Sequence, residues 1–509
     1  LNDKYRKTFY KTMANLKSLV KDTAIYGLSS IVGRFLNYLL VPLYTSVLAA
    51  SSGGYGVITN VYAYVAFVLV ILTFGMETTF FRFVNKEGAK AETVYTTVMM
   101  MVGSVALLFF LCVLAFLPEI SGFMGYEAHP EYLGIMAAVV ALDAFQSIPF
   151  AYLRYKNRPV KFASLKLLFI ILNITLNLLY FVWLPALYAK NPDFIGQFYN
   201  PNVSVGYAFG INLVCTASIT VFFWPELFCV KWKFDKGLMR KMLSYTWPML
   251  ILGIAGILNQ TADKMIFPMV YGDTHDGNVQ LGIYGACVKI AMIMAMITQA
   301  FRYAYEPFVF SKSKDKDGKE SYAVAMKFFI IFTLLAFLCV IGYMDILKYI
   351  IAPDYHEGLK VVPIVMAAEI MMGIYFNLSF WYKLIDKTIW GAFFSIAGCT
   401  VLIAVNIIFI PEYGYMACAW GGFAGYATAM LLSYFVGQKK NPVQYPLKSI
   451  AVYVLIALFF YAIMELVPAT WPVVLRLAVN TALILLFVAH ILYHDFPLKS
   501  LIAKLKNRH

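Results

Sequence analysis

Charge is scarce in this chain. Only 13% of its 509 residues are Asp, Glu, Lys or Arg, against 61% hydrophobic residues, and the mean hydropathy is +0.72. That balance excludes an ordinary set of soluble domains and describes a chain that lives in a bilayer. Paired cysteines are also missing. The seven cysteines, among them Cys112, Cys215, Cys287 and Cys399, fall singly and mostly within apolar runs, so neither a disulfide framework nor a metal is expected. The six histidines, His129, His275, His356, His490, His494 and His509, lie in loops, near a span end or in the tail. None pairs with a convincing nucleophile or shows metal-ligand spacing, which argues against an enzyme, and no cofactor is implied. The first apolar segment has no small-residue cleavage site and is too long for a signal peptide's hydrophobic region, so it reads as a span.

What fills the chain is apolar windows of about 20 residues, the length that crosses hydrocarbon at 1.5 Å per residue. They predict an all-α polytopic membrane protein with about 14 transmembrane helices. Six fall near 23–48, 55–81, 94–117, 132–153, 162–184 and 203–224. Eight more fall near 243–270, 281–309, 322–343, 361–382, 389–410, 415–436, 450–467 and 473–492.

Basic residues set the orientation. The first tail carries Lys4, Arg6, Lys7, Lys11, Lys17 and Lys21, and alternate loops carry Arg154, Lys156, Arg158, Lys231, Lys233, Lys312, Lys314, Lys439 and Lys440. The intervening loops 49–54, 118–131 and 272–280 have no Lys or Arg at all. Retained loops are enriched in these residues, so both termini are expected in the cytoplasm. The net charge of +14 then reports topology and attraction to membrane lipids, with no need of a nucleic acid. Met13 reads as a start site, or else Tyr5–Val20 forms an interfacial helix.

Weak echoes suggest duplication. Gly54-Tyr55-Gly56 at the second span is matched by Gly282-Ile283-Tyr284-Gly285 at the eighth, and Gly206-Tyr207 at the sixth by Gly414-Tyr415 at the twelfth. An offset of six spans gives two lobes of the same orientation. The expected organisation is a tail (1–22), an N-lobe (23–230), a basic linker (231–242), a C-lobe (243–438), spans thirteen and fourteen (439–492) and a second tail (493–509).

Charges at membrane depth cost about 2.5 to 3.5 kcal/mol each near the centre, so they normally face a cavity or a partner. Arg34, Lys264, Lys289 and Arg302 are the candidate cavity cations for an anionic substrate. Asp143, Asp263 and Glu369 are the candidate ion-coupling acids, for H+ or Na+. Asp263 and Lys264 are adjacent and could neutralise each other, and Arg302 and Glu306 stand four apart on one helical face, the spacing of an internal pair. Glu77 and Arg82 read as the boundary of span two. Tyr38, Tyr62 and Tyr64 fit packing, or stacking on sugar rings.

Asp22-Thr23-Ala24-Ile25-Tyr26-Gly27-Leu28-Ser29-Ser30, Arg34 and Leu40-Val41-Pro42-Leu43-Tyr44-Thr45 resemble the opening of bacterial polysaccharide-biosynthesis flippases (Wzx-like). The likeness continues in Tyr55-Gly56-Val57, Ala262-Asp263-Lys264, Gly282-Ile283-Tyr284 and Tyr413-Gly414-Tyr415. Their superfamily also holds multidrug exporters and lipid II flippases. The resemblance implies a MATE-like pair of six-helix lobes with two appended helices. It further implies a polyprenyl-pyrophosphate-linked oligosaccharide moved from the cytoplasmic to the periplasmic leaflet of the inner membrane by alternating access, with polysaccharide polymerases as possible partners. Among the cations it carries over Arg34 first, then Lys264, Lys289 and Arg302. A multidrug exporter of the same superfamily, or a membrane enzyme such as a polymerase, is the competing reading.

Overall fold

The structure is a computed structural model that describes residues 38–85, 90–228, 230–312, 318–385 and 387–495. Its principal helices are α1 (Leu40–Val47), α2 (Gly54–Thr73), α3 (Met76–Val84), α4 (Ala91–Ala115), α5 (Pro130–Tyr155), α6 (Pro159–Leu178), α7 (Ser204–Val221), α8 (Lys236–Tyr271), α9 (Thr274–Lys312), α10 (Gly318–Gly342), α11 (Val362–Leu378), α12 (Ile389–Tyr413), α13 (Tyr415–Lys440), α14 (Leu447–Leu466) and α15 (Val473–His494). No strand occurs among the described residues. Helix is the expected answer, because hydrocarbon offers the backbone no alternative hydrogen-bond partner.

Twelve helices among the described residues are long and apolar enough to cross a membrane, against the fourteen expected. The two expected spans outside this set have separate reasons. Most of 23–48 lies outside the described residues. The expected twelfth span is present as α13, 26 residues long, but it is not among the twelve, since its glycines and tyrosines add no hydropathy. Large apolar side chains such as Leu107, Leu108 and Leu111 on α4, and Leu455, Phe459, Leu485 and Leu486 on α14 and α15, are more than half exposed. A surface of that kind belongs against lipid.

The residues cluster into two compact units, Leu1–Leu281 and Gly282–His509. In the first, α3, α4, α5 and the start of α8 share a core of Met76, Phe80, Val94, Tyr95, Val98, Ile148 and Met242. Tyr95 stacks on Tyr152 with ring centroids 4.1 Å apart. The span containing α2 and α3 is broken at Phe74 (φ 31°) and Gly75 (φ 71°), both left-handed; the first is costly for a residue with a Cβ. A second irregularity is the π-helical turn Leu179–Trp183 that follows α6.

Pro268 lies inside α8. With no N–H it cannot satisfy the carbonyl four residues earlier, that of Lys264. Asn60 on α2 supplies the missing donor: its Nδ2 reaches the Lys264 carbonyl at 2.7 Å and that of Met265 at 3.2 Å. The Tyr64 hydroxyl also donates to Met265 O at 3.1 Å. Asn60 is held in turn by Tyr126, whose hydroxyl donates to its Oδ1 at 2.8 Å. Nearby, the α2 backbone comes so close to α9 that a Cβ on Gly56 would lie 1.8 Å from Asn278 O. The basic linker leads directly into α8, which packs in this first unit against α2 and α3.

In the second unit α13 carries a buried small-residue stripe, Ala417, Gly421, Gly425, Ala429, Ser433 and Gly437, one every four residues. It brings the α12 backbone into contact: a Cβ on Gly425 would lie 2.8 Å from Gly398 O, and one on Gly398 2.7 Å from Gly425 O. Gly414 (φ 53°) makes the turn between these helices. The last two helices dock on α10 near both ends. Asp495 pairs with Lys327 and accepts from the Tyr453 hydroxyl, while Arg476 pairs with Asp345 and Asn480 donates to Gly342 O at 2.9 Å.

Two outcomes are expected. Asn60→Leu leaves a buried carbonyl unsatisfied and should cost about 1–3 kcal/mol, read as a lower melting temperature in detergent. Pro268→Ala restores the N–H and should recover much of that loss in the double variant, a non-additive result; strictly additive effects would reject the pairing. Gly425→Leu forces α12 and α13 apart and should cost at least about 1–3 kcal/mol, seen as loss of the monodisperse peak on size exclusion.

Candidate functional site

The candidate residues are distributed over several helices. In the first unit Asp263 is 5% exposed on α8, immediately before the carbonyl freed by Pro268. Lys264 Nζ lies 2.9 and 3.0 Å from its two carboxylate oxygens and also donates to Gln260 O at 3.1 Å. These neighbours form an ion pair. The charge pair and the Lys264 and Met265 carbonyls therefore lie at one level of α8, with Asn60 and Tyr64 of α2 against them.

Asp143 lies elsewhere in the same unit, on α5. Its hydrogen-bonding neighbour is Thr216 of α7, and its charged neighbour is Lys166 of α6. Lys166 also feels Arg154 and Glu77, which are themselves ion-paired, and its ammonium sits 3.9 Å from the Phe150 ring centroid. A charged cluster thus runs across α5, α6 and α3, with the cations Lys166 and Arg154 flanked by the acids Asp143 and Glu77. Amides extend the polar lining around it. Gln146 donates to Thr216 O and Thr220 Oγ1, both at 2.8 Å, Thr216 donates to Asn212 at 3.3 Å, and Asn212 donates to the Tyr62 hydroxyl. On α6, Asn177 donates to Asn173 O at 2.8 Å and accepts from the Tyr44 hydroxyl at 2.7 Å.

In the second unit Lys289 and Arg302 are half-buried on α9 and Glu369 half-buried on α11. Thirteen residues separate the two cations, about 20 Å along the axis. The Arg302 guanidinium packs 4.8 Å from the ring centroid of Phe376, two helical turns beyond Glu369 on α11. Arg34 lies outside the described residues, as does the side chain of Glu306.

The structure therefore joins Asp263 to Lys264 and places Asp143 and Arg302 in separate surroundings. Sequence reasoning missed Lys166, although it lies inside an apolar run and the rule that selected Arg34 would have selected it. It also missed Asn60, Gln146, Asn173, Asn177 and Asn212. Their only signal is an uncharged amide in an apolar run, with Asn173 and Asn177 four apart on one face. Tyr62 and Tyr64 both spend their hydroxyls on neighbouring helices. Glu77 and Arg82 do lie near the end of the broken span, with Glu77 engaged by Arg154.

Among the described residues no three His, Cys, Asp or Glu side chains converge as a metal site would require.

The fold is shared with known transporters. A structure described as lipid II flippase MurJ in an inward closed conformation aligns with a TM-score of 0.68 at 15% identity, over 93% of this chain and 99% of that one. An inward-facing multidrug resistance MATE family transporter of the MOP superfamily gives 0.61 at 14%, over 82% and 97%. The MATE multidrug transporter DinF-BH in complex with R6G gives 0.57 at 14%, over 82% and 95%. At such identities the likeness speaks for the fold. No curated protein matches the sequence. The family described as polysaccharide biosynthesis protein matches residues 19–307, more than half of the chain, and this multi-pass, MurJ- and MATE-like membrane protein belongs to that family.

Proposed function

We propose that the protein is a flippase that moves a polyprenyl-pyrophosphate-linked oligosaccharide from the cytoplasmic to the periplasmic leaflet of the inner membrane, for surface polysaccharide biosynthesis. The observation that carries this reading is the family match over residues 19–307 in a chain folded like a lipid II flippase. Its basic loops favour cytoplasmic termini.

Arg34, Lys264, Lys289 and Arg302 are the cations that would compensate a pyrophosphate in a partly hydrated cavity, with guanidinium groups suited to bidentate contact. Asp143, Asp263 and Glu369 are the acids that would couple transport to H+ or Na+. The Asp263–Lys264 pair supports a specific linkage. A proton on Asp263 removes the charge that holds the ammonium, so Lys264 becomes available to the substrate in the state in which Asp263 is neutral. At Asp143 the same event would release Lys166. A ligand that binds one state better than the other is what biases alternating access. Polysaccharide polymerases are partners that would consume the product on the far leaflet.

A second reading has its own support, since the fold is also that of multidrug MATE transporters: a cation-coupled multidrug exporter would use the same acids on a cationic drug. An enzyme is the third reading.

In liposomes, wild-type protein should render a fluorescent polyprenyl-pyrophosphate oligosaccharide accessible to an external quencher. Arg34→Ala, Lys264→Ala and Arg302→Ala, each eluting as the folded species, should slow transfer about tenfold or more, the loss of one charge-assisted contact of 1.5–3 kcal/mol. Efflux of a cationic dye with no lipid transfer under any proton or sodium gradient would reject the flippase in favour of the exporter.

Asp263→Asn fixes the neutral state. Its transfer rate should lose most of the dependence on an imposed proton or sodium gradient that wild type shows, while keeping substrate affinity. An unchanged response to the gradient would remove Asp263 from the coupling step.

A further inference from the structure

A basic cavity of about 410 Å³ opens between the end of α3 and the start of α8, lined by Arg82, Phe83, Arg240, Lys241, Ser244 and Tyr245. None of the candidate cavity cations or coupling acids among the described residues lines it. Its walls are fixed from two sides. The Arg82 guanidinium rests 4.0 Å from the Tyr245 ring centroid, and Phe83, itself buried, meets the same ring edge-on at 6.2 Å. One turn deeper, the Thr79 and Thr246 hydroxyls hydrogen-bond at 2.6 Å and tie the two helices together.

Among the described residues, three cations gather here with no carboxylate paired to them. Arg82, Arg240 and Lys241 are exposed, and among the described residues no carboxylate forms an ion pair with any of them. Two described acids on the same helices are otherwise engaged: Glu77 bonds Arg154, and Asp235 caps α8 by accepting from Leu238 N at 2.9 Å. With the Ser244 hydroxyl as a further donor, the cavity presents the chemistry that recognises a phosphate.

The helix surface below the cations decides what kind of phosphate. Arg240, Leu243, Ser244, Trp247 and Ile251 follow the spacing of a single helical face. Leu243, Trp247 and Ile251 are 41%, 65% and 42% exposed. An apolar strip therefore begins about one turn, roughly 5 Å, from the cations, and it carries a tryptophan, a side chain that favours the membrane interface. A free anion would use the cations and leave the strip bare.

We propose that this cavity binds the phosphate of an anionic phospholipid, with an acyl chain laid along Leu243, Trp247 and Ile251. Bound there, the lipid bridges α3 and α8 just beyond the Thr79–Thr246 bond, on the same side of the Phe74–Gly75 break as the charged loops.

Trp247 provides the probe. Full-length protein in phosphatidylcholine vesicles is titrated with phosphatidylglycerol carrying brominated acyl chains, and separately with brominated phosphatidylcholine, subtracting Trp247→Phe to isolate the signal. Each basic residue near a membrane surface is worth about fivefold in binding an anionic lipid, so quenching by the glycerol lipid should be favoured at least about tenfold. The variant Arg82→Gln/Arg240→Gln/Lys241→Gln should lower that preference to about one. If the triple variant does not fold, Lys241→Gln alone should lower it about fivefold, and added salt should weaken it in wild type. Equal quenching by the two lipids in wild type, or an undiminished preference in the variants, overturns the proposal. Release of the quenching by 20 mM inorganic phosphate would assign the cavity to soluble phosphates and overturn the lipid assignment.

Discussion

A carbonyl that loses its helical donor in hydrocarbon has no water to turn to, and the first unit is organised around one such carbonyl. Pro268 deprives Lys264 O of its partner, and Asn60 restores it from α2. The bond fixes more than one helix. Tyr126 holds Asn60, Tyr64 bonds the next carbonyl, and the Gly56 backbone lies against Asn278 at the start of α9. Substituted elsewhere, an asparagine in a spanning helix would be a burden; here the backbone of a neighbouring helix requires it.

The same economy governs charge. Asp263 and Lys264 are consecutive residues that neutralise each other one turn before Pro268, and two acids, Asp143 and Glu77, balance two cations, Lys166 and Arg154, across three helices. A buried pair contributes little net stability, because desolvation offsets its attraction. Such pairs are conspicuous for another property: adding or removing one proton leaves the partner uncompensated, which makes them sensitive to a bound ion or anion.

The helical class and most span positions were legible because a twenty-residue apolar run has few other structures open to it. The charged candidates were legible for the related reason that ionised groups are rare at that depth. Lys166 shows a rule applied incompletely. Asn60 shows a limit of a different kind, since its role depends on a proline some two hundred residues away that only the packing brings alongside. A proline inside an apolar run frees a carbonyl wherever it stands, but which neighbour satisfies it is not written in the run itself. The break at Phe74–Gly75 was hidden too. Its glycine stands within an unbroken apolar run, and nothing in the composition marks the preceding phenylalanine as left-handed. The small-residue stripe on α13 was present in the sequence at every fourth position, yet a hydropathy window sees its glycines only as a weaker span.

That stripe bears on how the chain enters the membrane. Each glycine that lets α13 approach α12 also removes a side chain that would have drawn it out of water, so the helix trades partitioning strength for a partner. Gly414 sets the two helices back to back with a single-residue turn. Insertion of this segment is then a property of the α12–α13 hairpin: α12 supplies the hydrophobic pull, and α13 gains its place in the bilayer by lying against a helix already there.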